Sequence, residues 1–331
     1  AGTSACSQPS KRASIIDENI AVAEKQIGML ADSSETGGVI RIPSTWKNGR
    51  IDYVPVDDWV SGFFAGTLWY MYELTGDETW AARARKHTEI LDSVQYLQWH
   101  HDVGFMVYDS YGNGLRLKNI PGYEDVIVQT AKSLATRFRP VPGVIQSWDA
   151  DRGWQCPVII DNMMNLELMF KATEFSGDST YYNIAVKHAD RTMKEHFRDD
   201  YSCYHVVDYD LTTGDVRGRC TAQGYADDSA WARGQAWAVY GYTACYRYTG
   251  DKRYLDHARK VAGFMLDDKN MPADLVPYWD YDAPNIPNEP RVVSTAAIIA
   301  SAFYEMYTYT GDGLYKQKAD RIVESLSSPA Y

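Results

Sequence analysis

The sequence predicts an all-α protein whose helical hairpins curl into a closed toroid. Three observations carry this. A helix–turn–helix pattern recurs four times along the 331 residues. Strand signals are confined to one short stretch. The repeats are unevenly spaced, with long insertions between them, which disfavours a regular open solenoid and fits a barrel whose loops build a cleft at one end.

The four repeats are YELTGDETWAARARKHTEIL, TEFSGDSTYYNIAVKHADRTM, YRYTGDKRYLDHARKVAGFM and YTYTGDGLYKQKADRIVESL. In each, a helical run meets Thr/Ser-Gly-Asp. Gly76, Gly177, Gly250 and Gly311 stand where a helix end requires positive φ. Asp77, Asp178, Asp251 and Asp312 follow at once as N-caps of the next helix. An aromatic three residues on (Trp80, Tyr181, Tyr254, Tyr315) packs across the corner, giving a tight αα-hairpin.

Read in order, residues 1–14 (AGTSACSQPSKRAS) are small and polar and form a flexible tail; Cys6 after small residues resembles a lipoprotein processing site. Periodicity and breakers then place eleven helices near 14–32, 59–75, 78–97, 103–112, 122–138, 160–175, 178–197, 228–248, 251–267, 292–309 and 312–327. YHVVDYDLTTGDVRGR, around 201–219, reads as a β-hairpin with a TTGD turn, and the Pro-rich 272–290 as a surface loop. No composition shift divides the chain, so 15–331 is one domain.

Composition narrows the function. Hydrophobic residues are 45% and charged residues 23%, ordinary globular values. The 25 Tyr and 10 Trp suit a core or a sugar-binding cleft. A net charge of −11 argues against nucleic acid and against insertion into or binding to an anionic membrane, but leaves room for a small anionic substrate. Five scattered cysteines form neither a disulfide framework nor a zinc site; Cys203 and Cys220 are the one pair left open.

Candidate chemistry lies in four segments. In DDWVSGFFAGTLWYMYEL, Trp59 heads a helix, with Asp57 or Asp58 a plausible cap. QWHHDVGF places His100, His101 and Asp102 together; they read as a cap or a metal fragment, without the further ligands a metal site needs. In VIIDNMMNLELMF, Asp161 is a natural N-cap, yet its apolar neighbours would raise its pKa and make it a proton donor. In CTAQGYADDSAWARGQAWAVYGY, Trp231, Gln235 and Ala238 share a helical face. Arg233 points elsewhere unless the helix starts irregularly; it serves either a substrate anion or a buried pair with Asp227 or Asp228. No GxSxG, Walker, GxGxxG or HExxH motif is present.

At DDWVSGFFAGTLWYMYE, HHDVGF, IIDNMMNLE and QGYADDSAWARGQAW, in this order and spacing, the sequence resembles the unsaturated glucuronyl hydrolases, glycoside hydrolase family 88, over nearly its whole length. The resemblance implies an (α/α)6 barrel of twelve helices, no metal and no organic cofactor. It implies release of 4,5-unsaturated uronic acid from the non-reducing end of lyase-generated, glycosaminoglycan-type oligosaccharides by hydration of the C4=C5 vinyl ether. By motif, Asp161 is the general acid/base and Asp102 the second essential carboxylate. His101 contacts the uronic acid, Trp59, Trp148, Trp231 and Trp237 line the cleft, and His205, Gln223 and Arg233 bind hydroxyl and carboxylate groups.

The family's final inner helix has no counterpart before Tyr331, so the barrel is expected to lack its last helix. RGQAW, where related unsaturated rhamnogalacturonyl hydrolases of pectin fragments have an RGNGW-like form, favours the first reading. Asp102 and Asp161 argue against a non-catalytic glycan-binding toroid. The expectation is a monomer or weak dimer in the periplasm or outside the cell, tethered as a lipoprotein or free, with the cytoplasm left open.

Overall fold

The computed structural model describes residues 11–150 and 152–331. Its helices are α1 (Lys11–Ser34), α2 (Ser61–Thr75), α3 (Glu78–Glu89), α4 (Val103–Val107), α5 (Asn113–Lys118), α6 (Tyr123–Ala135), α7 (Leu166–Ser176), α8 (Ser179–Glu195), α9 (Ala232–Thr249), α10 (Lys252–Asp267), α11 (Val293–Thr310) and α12 (Gly313–Leu326). A π turn, Tyr108–Gly112, joins α4 to α5, so the two run on as one helical stretch and the described residues form eleven such stretches. Helix α1 starts at Lys11, inside the segment expected to be a flexible tail; residues 1–10, with Cys6, lie outside the described residues. Among the described residues no helix is long and apolar enough to cross a membrane.

The four repeated corners form as their chemistry dictates. Each glycine adopts φ between 66° and 72°. Each Asp accepts a hydrogen bond from the backbone N–H two residues on, at 2.8–3.0 Å. The preceding Thr or Ser hydroxyl donates back to its own helix and accepts the N–H of the Asp. The corner's hydroxyl, its Gly and Asp N–H groups and one free N–H in the first turn of the next helix are thus satisfied locally. Trp80, Tyr181, Tyr254 and Tyr315 are all buried.

Side-by-side packing sorts the helices into two rings. Helix α2 packs on α4, α7 on α9, and α9 on α11. The turn before α7 packs on both α4 and α9. Helices α3, α8, α10 and α12 each pack chiefly on the helix before them, and α6 lies against α4, α7 and α8. So α2, α4–α5, α7, α9 and α11 form the inner ring, and the others wrap it. Each inner helix is followed by an outer one that runs back, so the inner helices all start at the same end of the toroid. The four Gly-Asp corners occupy the opposite end.

Strands decorate the end where inner helices start. The expected hairpin is present as β6 (Val206–Tyr209) and β7 (Val216–Cys220), and β5 (Pro157–Ile159) adds a third antiparallel strand. Two further hairpins, β1 (Ile42–Lys47) with β2 (Arg50–Val54), and β3 (Phe138–Arg139) with β4 (Val144–Ile145), were not anticipated. The first turns at Asn48-Gly49, a dipeptide that favours hairpins. Several expected boundaries also move. The 78–97 helix ends at Glu89 before a 3₁₀ turn, and 122–138 stops at Ala135 because the chain enters β3. The 160–175 helix opens as a 3₁₀ turn, Ile160–Asn165.

Candidate active site

All ten residues singled out in the sequence meet at the end where the inner helices begin. Trp59 lies in the turn before α2, Asp102 directly before α4, Asp161 in the 3₁₀ turn before α7, and Trp231 directly before α9. Arg233 and Trp237 occupy the first two turns of α9. His205 precedes β6, while Trp148 and Gln223 come from the loops after β4 and β7.

Asp161 is not the helix cap that its position suggested. The 3₁₀ turn starts after Ile159 and α7 after Asn165, neither with a side-chain cap bond. Freed from capping, the Asp161 carboxyl lies beside His205, with Asp102 and Arg233 near enough to act on it. It is 7% exposed, and its Oδ2 has no hydrogen-bond partner. Burial, reinforced by the negative charge of Asp102, pushes its pKa up to about 7, against an opposing pull from Arg233. Such a group carries a proton near neutrality and can give it away.

Asp102 experiences the opposite balance. Burial pushes it up, but His101, His100 and Arg137 outweigh burial and hold it below the usual carboxylate range. His101 Nε2 lies 3.1 Å from Asp102 Oδ1. His100 Nδ1 is 3.6 Å from Oδ2 and accepts the Asp102 backbone N–H. The cleft therefore pairs a protonated acid with an ionised one.

His205 stands next to Asp161. Its Nδ1 accepts the backbone N–H groups of Ala222 at 3.0 Å and Gln223 at 3.2 Å. Burial lowers its pKa to about 3, so the ring is neutral and its one proton sits on Nε2, 3.6 Å from Asp161 Oδ2. Its face rests against Trp231, ring centroids 4.4 Å apart.

Arg233 corrects one expectation. Trp231 lies outside the helix, with extended φ/ψ of −62° and 119°, so helical spacing does not separate the two side chains. The guanidinium sits 4.4 Å over the Trp231 ring and donates to Gln223 Oε1 at 2.5 Å. It pairs with neither Asp227 nor Asp228; Asp227 accepts the Thr221 N–H instead. The neighbouring Gln235, fully buried, holds the backbone N–H and carbonyl of Cys203 and so supports the loop. Cys203 and Cys220 are free thiols. Neither candidate caps α2: its N-cap is Val60, with no side-chain cap bond, and Asp58 instead braces the turn before it by accepting the Val60 N–H at 3.0 Å.

Aromatic rings wall the cleft. Trp59 packs edge-on against Phe63 and Phe105, and Phe105 continues to Trp237. Opposite them Trp148 stacks on Trp154 at 5.8 Å, so the two tryptophans form one platform. Two adjoining hollows result. One of about 420 Å³ lies between Trp59, Trp99, Asp102 and Trp148; one of about 490 Å³ lies between Trp99, Trp148, Arg152 and Gln223. Trp99, Arg152, Phe105 and the asparagines of DNMMN were not singled out beforehand. Trp99 and Phe105 stand inside QWHHDVGF, so adjacency to the His-His-Asp motif was an available signal. Arg152 had none.

A sugar-sized cleft with flat aromatic walls and one protonated carboxyl beside an ionised one is the working equipment of a glycoside hydrolase. No family model matches the chain. Curated relatives and solved structures do. The chain is 48% identical over 282 residues to the unsaturated glucuronyl hydrolase of Formosa agariphila, covering 84% of this chain and 70% of that one. It is 33% identical to the unsaturated chondroitin disaccharide hydrolase of Streptococcus pyogenes serotype M1, over 80% of this chain and 66% of that one. The crystal structure of an unsaturated glucuronyl hydrolase specific for heparin superposes with a TM-score of 0.92 at 43% identity, covering 96% of this chain and 85% of that one. The chain belongs to the unsaturated glucuronyl hydrolases, and its toroid is their (α/α)6 barrel.

Proposed function

We propose that this site hydrates the C4=C5 double bond of a 4,5-unsaturated uronic acid at the non-reducing end of a lyase-generated oligosaccharide. Asp161 gives its proton to C4, and water adds to C5 as Asp161, now ionised, takes up a proton from that water. The C5 hemiketal that forms opens by breaking its bond to the ring oxygen. C1 is left as an open hemiacetal, which collapses to an aldehyde and releases the next sugar. Asp161 is protonated again at the end, so the step consumes only water.

Asp102 stays ionised, which helps keep the proton on Asp161 before reaction. Arg233, braced by Gln223 and Trp231, is the cation available for the uronate carboxylate. Trp59, Trp237, Trp148 and Trp231 hold the ring faces, and His205 stands beside Asp161; His101, expected to contact the uronic acid, is fully buried and acts through Asp102 instead. The glycans are of the glycosaminoglycan type, in keeping with the chondroitin and heparin in the relatives' names.

The observation that carries this reading is the raised pKa of Asp161 beside an ionised Asp102. The test is loss of enol-ether absorbance across a panel of unsaturated disaccharides, for the wild-type chain and Asp161→Asn. The wild type is expected to bleach the band and the variant to leave it, while binding the disaccharide with similar affinity. A variant that bleaches at near wild-type rate overturns the assignment.

A further inference from the structure

One fully buried side chain ties the two catalytic segments together without facing the cleft. Asn165 ends the 3₁₀ turn that begins beside Asp161, and it reaches across to the start of α4. Its Oδ1 accepts the backbone N–H of Gly104 at 2.9 Å. A backbone N–H can only donate, so the orientation of the Asn165 amide is fixed. Its Nδ2 therefore supplies both remaining contacts: to Asn162 Oδ1 at 3.2 Å and to His101 Nδ1 at 3.4 Å. Asn162 is anchored in turn, donating to the Ile145 carbonyl at 2.7 Å.

The contact with His101 has a chemical consequence. A ring nitrogen that accepts a hydrogen bond carries no proton, so the single proton of neutral His101 lies on Nε2, the atom 3.1 Å from Asp102 Oδ1. The close fit is built into the backbone as well. A Cβ on Gly104 would stand 2.4 Å from Asn165 Oδ1 and 2.8 Å from its Cα, so only glycine lets α4 approach. Asn165 thus has every donor and acceptor engaged, and no other residue type of its size offers two N–H donors and one acceptor.

We propose that Asn165 is a positioning residue of the reaction: its amide sets the tautomer of His101, so that the ring carries its one proton on Nε2, the nitrogen that lies beside Asp102. This rests on the reading of Asp102 and Asp161 as the working pair. His101 is faced by Asp102 and His100 from its own segment, Arg137 from beyond α6, and His188 from α8. Asp102 is faced by His101, His100 and Arg137, and by Asp161 across the cleft.

Asn165→Asp tests it. The replacement keeps the shape and the acceptor for Gly104, but removes both donors and sets a carboxylate against His101 Nδ1. Long-range ¹H–¹⁵N correlation of the imidazole rings, with His101 assigned by its absence from His101→Gln, reads the protonation of each nitrogen without substrate. In the wild type His101 is expected to carry its proton on Nε2 alone. In Asn165→Asp, Nδ1 is expected to gain a proton, and kcat to fall at least tenfold, by more than any change in KM. Asn165→Ala, whose His101 has no fixed partner, is expected to lose the single Nε2–H state. An Nδ1 that stays unprotonated in Asn165→Asp overturns the proposal, as does kcat within twofold of wild type or a rise in KM alone. Because the imidazole signal needs no substrate, its failure is separable from failure of the catalytic reading, which wild-type bleaching tests alone.

Discussion

Asp102 and Asp161 share one cleft, and each stands next to a buried histidine whose Nδ1 is already occupied, yet they are held in opposite charge states. The difference lies in the donors. His101 comes within 3.1 Å of Asp102 and His100 and Arg137 add to it, so the charged form is stabilised despite burial. His205 stops 3.6 Å short of Asp161, and Arg233 is committed to Gln223 and stacked on Trp231, so burial wins. Ionising Asp161 in place costs roughly 4 kcal/mol more than in water. Burial alone does not set a carboxyl's state in this cleft; the number and reach of its donors decide.

The largest expected effect comes from erasing the acid: Asp161→Asn should lower kcat on the order of 10³-fold, measured by bleaching of the enol-ether band. Asp102→Asn should come next, with about a 10²-fold loss. It should also move the basic limb of the kcat/KM–pH profile to lower pH, because the charge that raises Asp161 is gone. Arg233→Gln should move the same limb to higher pH, since Arg233 pulls Asp161 down, and should raise KM about tenfold. If Asp102→Asn and Arg233→Gln shift the limb in the same direction, the contrast drawn between the two carboxylates fails.

Stability provides a subtler contrast. The folded pKa of Asp161 lies above its unfolded value, so its contribution is fully present below about pH 4 and is lost as pH rises through about 7. Asp161→Asn should therefore melt at a higher temperature than wild type above pH 7, and the gap should close on acidification. Gly104→Ala, which crowds Asn165, should destabilise the fold by about 1–3 kcal/mol in denaturant titrations. The smallest expected effect is none: EDTA should leave turnover unchanged, and loss restored by zinc or calcium would refute the cofactor-free mechanism.

The repeats were legible because each corner is a local affair. Thr/Ser, Gly and Asp satisfy one another within four residues, so the motif names the structure. The carboxylate pair was legible as residues but not as states. Asp161 reads as a cap until the structure shows Ile159 and Asn165 bounding the helices. Arg233 reads as turned away from Trp231 until Trp231 proves to lie outside α9. The π turn between α4 and α5, the β1–β2 and β3–β4 hairpins, Arg152 in the cleft and the Asn165 relay depend on contacts between distant segments, which no local pattern encodes.

Because the inner helices all start at one end, α2, α4, α7 and α9 direct their N-terminal backbone dipoles toward the same cleft. Each such terminus carries a partial positive charge, felt over about one turn. A chain with a net charge of −11 would repel an anionic sugar in bulk, and the hollows themselves carry Asp57, Asp58, Asp102 and Asp149; the parallel arrangement of the inner ring offsets part of that negative charge with peptide groups rather than side chains.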